Sequence, residues 1–148
     1  MAIRMFDSIL VVCTGNICRS PIAERLLRDM LPDKKIDSAG TGALIDKSAD
    51  SSAERIAAKY NLKLDGHKGK QLTSTLSRQY DLILVMEHIH LEQVSRMAPE
   101  VRGKIMLLGH WLNRKEIPDP YRKSDEAFDS VYQLIDQSCR KWAEKLGR

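Results

Sequence analysis

Hydrophobic and polar positions fall into alternating blocks along the chain. Ser8-Ile9-Leu10-Val11-Val12, Leu82-Ile83-Leu84-Val85-Met86 and Lys104-Ile105-Met106-Leu107-Leu108 are near-continuous apolar runs, the pattern of strands buried on both faces. Lys35-Ile36-Asp37-Ser38-Ala39 is a weaker fourth. Between them apolar residues recur at helical spacing: Ile22, Ala23, Leu26, Leu27 and Met30 after the first strand, Ala53, Ile56, Ala57 and Tyr60 after the second, Leu91 and Val94 after the third. Phe128, Val131, Ile135, Cys139, Trp142 and Leu146 then follow at steps of three and four, which predicts a long amphipathic helix covering the sheet. Strand and helix alternate throughout, with no repeat or linker to divide them. The expected fold class is therefore α/β: a single doubly wound domain over residues 1–148, with a four-stranded parallel sheet and helices on both faces. In such folds ligands bind beyond the carboxyl ends of the strands, so the residues immediately after each strand are the first place to seek function.

A chain of 148 residues, 43% hydrophobic and 30% charged, can bury one sizeable core, and its balance excludes disordered, collagen-like and disulfide-rich classes. No apolar run approaches the ~18–20 residues of a membrane span, and the start from Met1 to Asp7 lacks a basic region followed by a long apolar segment. A cytoplasmic protein without membrane insertion is expected. The formal charge of +4 is dispersed, with no basic run beyond two residues, which points to anionic ligands rather than nucleic acid. Cys13, Cys18 and Cys139 match no metal-site or secreted-framework spacing, so free thiols and no metal are expected.

Directly after the first strand comes Cys13-Thr14-Gly15-Asn16-Ile17-Cys18-Arg19-Ser20-Pro21. A cysteine and an arginine five residues apart are cheap alone; the context carries the weight. Gly15 permits a tight turn, Ser20-Pro21 suits a helix start, and such a loop can point backbone N–H groups and a helix N-terminus at one anion. That positive environment would favour the thiolate of Cys13, a nucleophile, and Arg19 would hold two phosphate oxygens in bidentate fashion. The plainer alternative is that Cys13 merely ends a buried strand. A Walker-type loop is excluded because no Gly-Lys-Ser/Thr follows, and a thioredoxin-type pair because the cysteines are too far apart. A thiolate that displaces an alkoxide or phenoxide from phosphorus needs a proton donor on another loop at the same sheet edge. Asp119, in Ile117-Pro118-Asp119-Pro120-Tyr121 beyond the fourth strand, fits that need, although Asp-Pro is also a routine turn starter.

At these residues the chain resembles the low-molecular-weight protein tyrosine phosphatases over essentially its whole length. Val11 to Glu24 is similar to the family's phosphate loop and Asp119-Pro120-Tyr121 to its general-acid loop, and Asp37-Ser38-Ala39-Gly40, Gly66-His67 and Tyr80 to Met86 agree. Ala98 to Lys104 and Leu108-Gly109-His110-Trp111 resemble the bacterial Wzb/Etp-type members, which act with tyrosine autokinases of capsule and exopolysaccharide export. The resemblance implies Cys13 as nucleophile, Arg19 as phosphate and transition-state clamp, and Asp119 as general acid. It implies phosphate contacts from the loop residues Thr14, Gly15, Asn16, Ile17 and Cys18, with Ser20 hydrogen-bonded to the Cys13 sulfur. Asn16, Ser38 and His67 would form a buried network holding the loop. Tyr121 and Leu44 would wall a pocket deep enough for a phenyl ring, where Arg122 replaces the second aromatic of eukaryotic relatives. The implied partner is a phosphotyrosine protein, a bacterial tyrosine autokinase, with inorganic phosphate or another oxyanion in the loop and no cofactor.

Three further expectations concern residues beside this set. Cys18 is read as a redox residue that captures oxidised Cys13 in a disulfide, against the alternative of simple packing. His88 and His90, two apart in a helix, face different sides and make no metal pair. Lys68-Gly69-Lys70 and Arg122-Lys123 read as solvated surface, and Cys139 as core. Two other functions compete with the phosphatase. An arsenate-reductase-type relay would need further cysteines near the third strand, and Tyr80 to Arg96 has none. A phosphopeptide-binding module would need neither Cys13 nor Asp119.

Overall fold

The computed structural model describes residues 6–147; Met1 to Met5, part of the segment read above for a leader, lie outside the described residues. The elements run β1 (Ser8–Cys13), α1 (Arg19–Met30), β2 (Lys35–Gly40), α2 (Ser51–Lys59), α3 (Ser74–Arg78), β3 (Leu82–Val85), α4 (His88–Met97), a short 3-10 helix (Pro99–Lys104), β4 (Ile105–Leu107) and α5 (Asp125–Leu146). All three strand pairings are parallel and the sheet order is β2-β1-β3-β4. The chain leaves β1 in one direction to reach β2 and returns past it to reach β3. The connections therefore part at the carboxyl end of β1, which opens a crevice at that edge.

The period of two in β1 sorts its side chains between two layers. Ile9, Val11 and Cys13 face a core shared with α1, α2 and α5, built on Ile22, Leu27, Ile56, Phe128, Ile135 and Trp142. Leu10 and Val12 face the opposite core, with Leu72, Val94, Ala98 and Val101. Both sets are buried, which is why the strand reads as continuously apolar. Trp142 places its polar edge as well as its bulk: the indole Nε1–H donates to the Leu108 carbonyl at 2.8 Å, tying α5 to the exit of β4. Among the described residues, no helix is long and apolar enough to cross a membrane.

Two elements have no sequence signature. α3 is five residues long and buries only Ser77, too short for a helical period to show; the Thr73 side chain, accepting the Leu76 N–H, sets its start. The 3-10 helix begins at Pro99 and buries only Val101. Tyr60, read as part of the second helix, is the C-cap of α2, where its ring stacks on Tyr132 of α5 with centroids 4.5 Å apart.

The last residue of β2 is constrained by what lies beside it. A Cβ on Gly40 would sit 2.3 Å from the Thr14 carbonyl oxygen and 3.1 Å from Asn16, so only glycine lets β2 approach the loop that follows β1. Gly40→Ala should destabilise the fold by ~2 kcal/mol, within the range of overpacking, and lower Tm by roughly 5–8 °C for a chain of this size. Gly103→Ala, where an added Cβ meets nothing within 4 Å, is the matched control and should melt as the parent; thermal denaturation of the two variants checks both.

Candidate active site

The loop from β1 to α1 turns back on itself through one left-handed residue. That residue is Asn16, with φ 59°, and not Gly15, whose φ is ordinary and where an added Cβ would meet only Ile17 at 3.7 Å. The expectation that Gly15 supplies the tight turn is therefore corrected: asparagine tolerates the left-handed region because its short polar side chain can bond locally. Here that side chain is fully employed. The Lys70 N–H donates to Asn16 Oδ1 at 2.9 Å, and Asn16 Nδ2 donates to Ser20 Oγ at 2.8 Å and Ser38 Oγ at 2.9 Å.

These bonds have a direction. Ser38 donates to the buried Glu24 carboxylate at 2.9 Å, so it receives from Asn16. Ser20 also receives from Asn16, and the hydrogen that Ser20 still has to donate falls on Cys13 Sγ, 2.9 Å away. Glu24 is absent from the sequence reading, since one acid in an amphipathic helix carries no signal of its own.

The carbonyl groups of the loop all find partners outside it. Cys13 O accepts from Thr41 N, Thr14 O from Gly42 N and Gly15 O from Leu44 N, each at 3.0 Å; Ile17 O accepts from Asp50 N at 2.8 Å. Asn16 O accepts from the buried His67 Nε2–H at 2.6 Å. Five consecutive carbonyls are thus turned outward and satisfied. Among the described residues, the N–H groups of Thr14, Gly15, Asn16, Ile17 and Cys18 find no protein acceptor. They follow Cys13, 2% exposed, and lead into the N-terminus of α1, whose cap residue Cys18 makes no side-chain capping bond. A run of unpaired N–H groups leading into a helix start suits an anion.

Lys68-Gly69-Lys70, read as solvated surface, has exposed lysine side chains but a structural backbone. Besides the Lys70 bond to Asn16, Gly69 N donates to Lys47 O and Asp46 N to Gly69 O, both at 2.8 Å. A Cβ on Gly69 would lie 2.1 Å from Leu44 O. This segment therefore holds the 41–47 loop against the site.

Arg19 is a charge 2% exposed. Its Nη1 donates to Glu87 at 2.5 Å and to the Ile117 carbonyl at 2.7 Å, and its Nη2 lies 3.8 Å from Asp119. Ile117 N in turn donates to Met86 O at 2.9 Å. The acid-bearing loop is thus fastened two residues before Asp119, to both β3's exit and the arginine. Asp119 remains half exposed and accepts the Tyr121 N–H at 3.0 Å. Glu87 was not singled out from the sequence, yet it stands immediately after the third apolar run, at the sheet edge where function was to be sought.

A cavity of about 200 Å³ is floored by Cys13, Cys18 and Arg19 and bordered by Leu44, Asp119 and Tyr121. Leu44 and Tyr121 are both more than a third exposed at its mouth. Arg122 is not simply solvated: its guanidinium lies 5.2 Å from the centroid of the Tyr121 ring, bracing that wall from outside. A larger, shallow hollow of about 640 Å³ beside α2 is lined by residues between Ser51 and Asp65 and includes no cysteine. Cys13, Cys18 and Cys139 are free and buried. Burial pushes the Cys18 and Cys139 thiols up, so both are neutral where Cys13 is the sulfur with a donor aimed at it. Cys139 lies in the α5 core. Among the described residues, no group of three or more His, Cys, Asp or Glu is placed to hold a metal ion.

His88 is exposed and His90 buried, on different sides as the spacing implies. His90 is nonetheless part of the site: its Nε2 lies 2.9 Å from Thr14 Oγ1 and its Nδ1 accepts the Glu87 N–H at 3.1 Å. Nothing in the sequence distinguishes it from a core histidine.

The comparisons agree with this geometry. The family model described as low molecular weight phosphotyrosine protein phosphatase matches residues 8–148. The chain is 55% identical over 148 residues to the low molecular weight protein-tyrosine-phosphatase Etp of Escherichia coli K12, covering 100% of both chains. It is similar to the crystal structure of the tyrosine phosphatase Wzb from Escherichia coli K30 in complex with sulphate, at TM-score 0.95 and 71% identity over 97% of this chain and 100% of that one. It is also similar to Vibrio vulnificus Wzb in complex with benzylphosphonate, at TM-score 0.92 and 52% identity over 94% and 98%. With a cysteine followed by a loop of unpaired N–H groups, and with matches that span nearly the whole chain, the protein belongs to the low molecular weight phosphotyrosine protein phosphatase family.

Proposed function

We propose that this chain hydrolyses phosphotyrosine in proteins through a phosphocysteine intermediate. The observation that carries the reading is the loop itself: five consecutive carbonyls bond outside it while the N–H groups of residues 14–18 have no described protein acceptor, with Arg19 at the start of the next helix. Cys13 Sγ attacks phosphorus and the bond to the aryl oxygen breaks, Asp119 giving its proton to the departing phenoxide. Asp119, now a carboxylate, takes a proton from water as that water attacks phosphorus and releases Cys13 and inorganic phosphate. The same donors would bind other oxyanions; the sulphate in a similar structure supports that. The aryl slot between Leu44 and Tyr121 is supported by the benzylphosphonate in another. The substrate we favour is a tyrosine autokinase of capsule or exopolysaccharide export, in the cytoplasm, on the likeness to Wzb and Etp.

Hydrolysis of an aryl phosphate with a chelator present tests the reaction. Turnover should persist in the parent and vanish in Cys13→Ser, and Asp119→Asn should slow it roughly 10²–10⁴-fold. Parental rates in Asp119→Asn would reject the acid assignment.

Phosphotyrosine should be hydrolysed far more efficiently than phosphoserine in matched peptides. A serine shaft is too short to bring phosphorus to the buried sulfur, and it forgoes aromatic contact of ~0.5–1.5 kcal/mol. Equal kcat/KM on the two peptides would remove the deep slot from the mechanism.

Peroxide should convert the Cys13 thiolate to a sulfenic acid, which the Cys18 thiol then displaces with loss of water to give a Cys13–Cys18 disulfide. Intact mass should show a loss of two hydrogens that a reducing thiol reverses. Cys18→Ser should keep phosphatase activity but gain oxygen irreversibly instead.

A further inference from the structure

The loop has one side-chain hydroxyl at its mouth. Thr14 directly follows the nucleophile, is exposed and borders the cavity. The only described polar partner of its hydroxyl is His90, a histidine with no exposed surface. The direction of that bond follows from the other ring nitrogen. Glu87 N is a donor and lies 3.1 Å from His90 Nδ1, so Nδ1 carries no hydrogen and the neutral ring has its hydrogen on Nε2. Nε2–H therefore donates to Thr14 Oγ1 across 2.9 Å. The threonine's own hydrogen is not spent on the histidine and remains available to whatever occupies the cavity.

The same residue reaches the other side of the anion site. His90 and Glu87 form a reciprocal cap at the start of α4, the His90 side chain accepting from the Glu87 backbone and the Glu87 side chain from the His90 backbone. That Glu87 carboxylate also holds Arg19. One buried ring thus stands between the second residue of the phosphate loop and its arginine.

We infer that His90 is a positioning residue for the bound oxyanion: it orients the Thr14 hydroxyl as an additional donor to phosphate and couples that donor, through Glu87, to Arg19. The inference rests on the proposal that the loop binds phosphate. The protonation state supports it. Burial and the charge of Arg19 push His90 down to about 4, against the opposite pull of Glu87, Asp119 and Glu116, so the donating tautomer holds through the neutral range. The unfolded chain takes up this proton near pH ~6.5 and the folded chain only near 4. His90 therefore costs stability as pH falls across that interval, and does not itself titrate in the folded enzyme at neutral pH.

The test is a double-mutant cycle in the full chain with Thr14→Val and His90→Leu, read as the inhibition constant of inorganic phosphate and as kcat/KM on an aryl phosphate. Each single change should weaken phosphate roughly 10-fold or more, the size of a hydrogen bond to a charged group. The double should be no worse than the poorer single, because the two act through one bond. His90→Gln, whose amide can accept from Glu87 N and donate to Thr14, should recover most of the affinity. A stability role for His90 alone would lower Tm in His90→Leu and leave Thr14→Val with parental phosphate affinity; that parental affinity, or losses in the two singles that multiply in the double, overturns the inference. Imidazole nitrogen shifts give a reading independent of turnover. The ring should stay neutral with its hydrogen on Nε2 from pH 8 to 5.5 and respond to added phosphate in the parent but not in Thr14→Val. Titration near 6.5, the opposite tautomer or an unresponsive ring would also reject it. If turnover survives Cys13→Ser, the phosphatase reading itself fails; if turnover depends on Cys13 while Thr14→Val is silent, only the role of His90 does.

Discussion

For the N–H groups of residues 14–18 to face one point, the carbonyls of the same stretch must face away from it, and a carbonyl turned into a protein interior needs a donor there. That requirement organises the surroundings of the site. The 41–50 segment supplies four of the five donors and His67 the fifth. Bringing those segments close enough demands Gly40 and Gly69, where any side chain would collide with backbone. Asn16 makes the turn possible by accepting a left-handed conformation and tying its side chain to three neighbours. The cost of holding unpaired N–H groups inward is met by the folding of everything around them, so the site is arranged before any anion arrives.

Arg19 poses the complementary problem. A buried guanidinium is tolerated only where acceptors surround it, and those acceptors come from distant parts of the chain: Glu87 after β3 and Ile117 in the loop beyond β4. Satisfying the charge therefore also sets the path of the acid-bearing loop, since Ile117 is held at both its carbonyl and its N–H. Asp119 stands near the arginine because two residues earlier the chain has no freedom. Electrostatic demand and loop geometry are one arrangement here.

How much of this is legible without coordinates depends on whether the signal is local. Strands buried on both faces and a 22-residue amphipathic helix are written as periodicity, and the β1-to-α1 loop as a contiguous run of residues whose types have few other uses together. Cys13 and Arg19 were readable for that reason, and Asp119 from the need for a proton donor at the same sheet edge; the places of Asn16, Ser20, Ser38 and His67 needed the family likeness, because each alone is an ordinary loop, turn or core residue. Gly15 misled because glycine is the usual left-handed residue, whereas the loop assigns that conformation to its neighbour.

The sequence by itself determined the fold class and the place and residue types of the β1-to-α1 loop, since both rest on spacing within short stretches. Only the tertiary structure decided which residues satisfy that loop from outside. Glu24, Glu87 and His90 each serve a partner 14 or more residues away, and the lysine–glycine–lysine turn serves through its backbone rather than its charge. Hydrogen-bond direction belongs to the same category: whether Ser20 gives to sulfur, or His90 to Thr14, depends on what the next partner along already accepts. Such a chain of donors closes only when the strands have placed its members together.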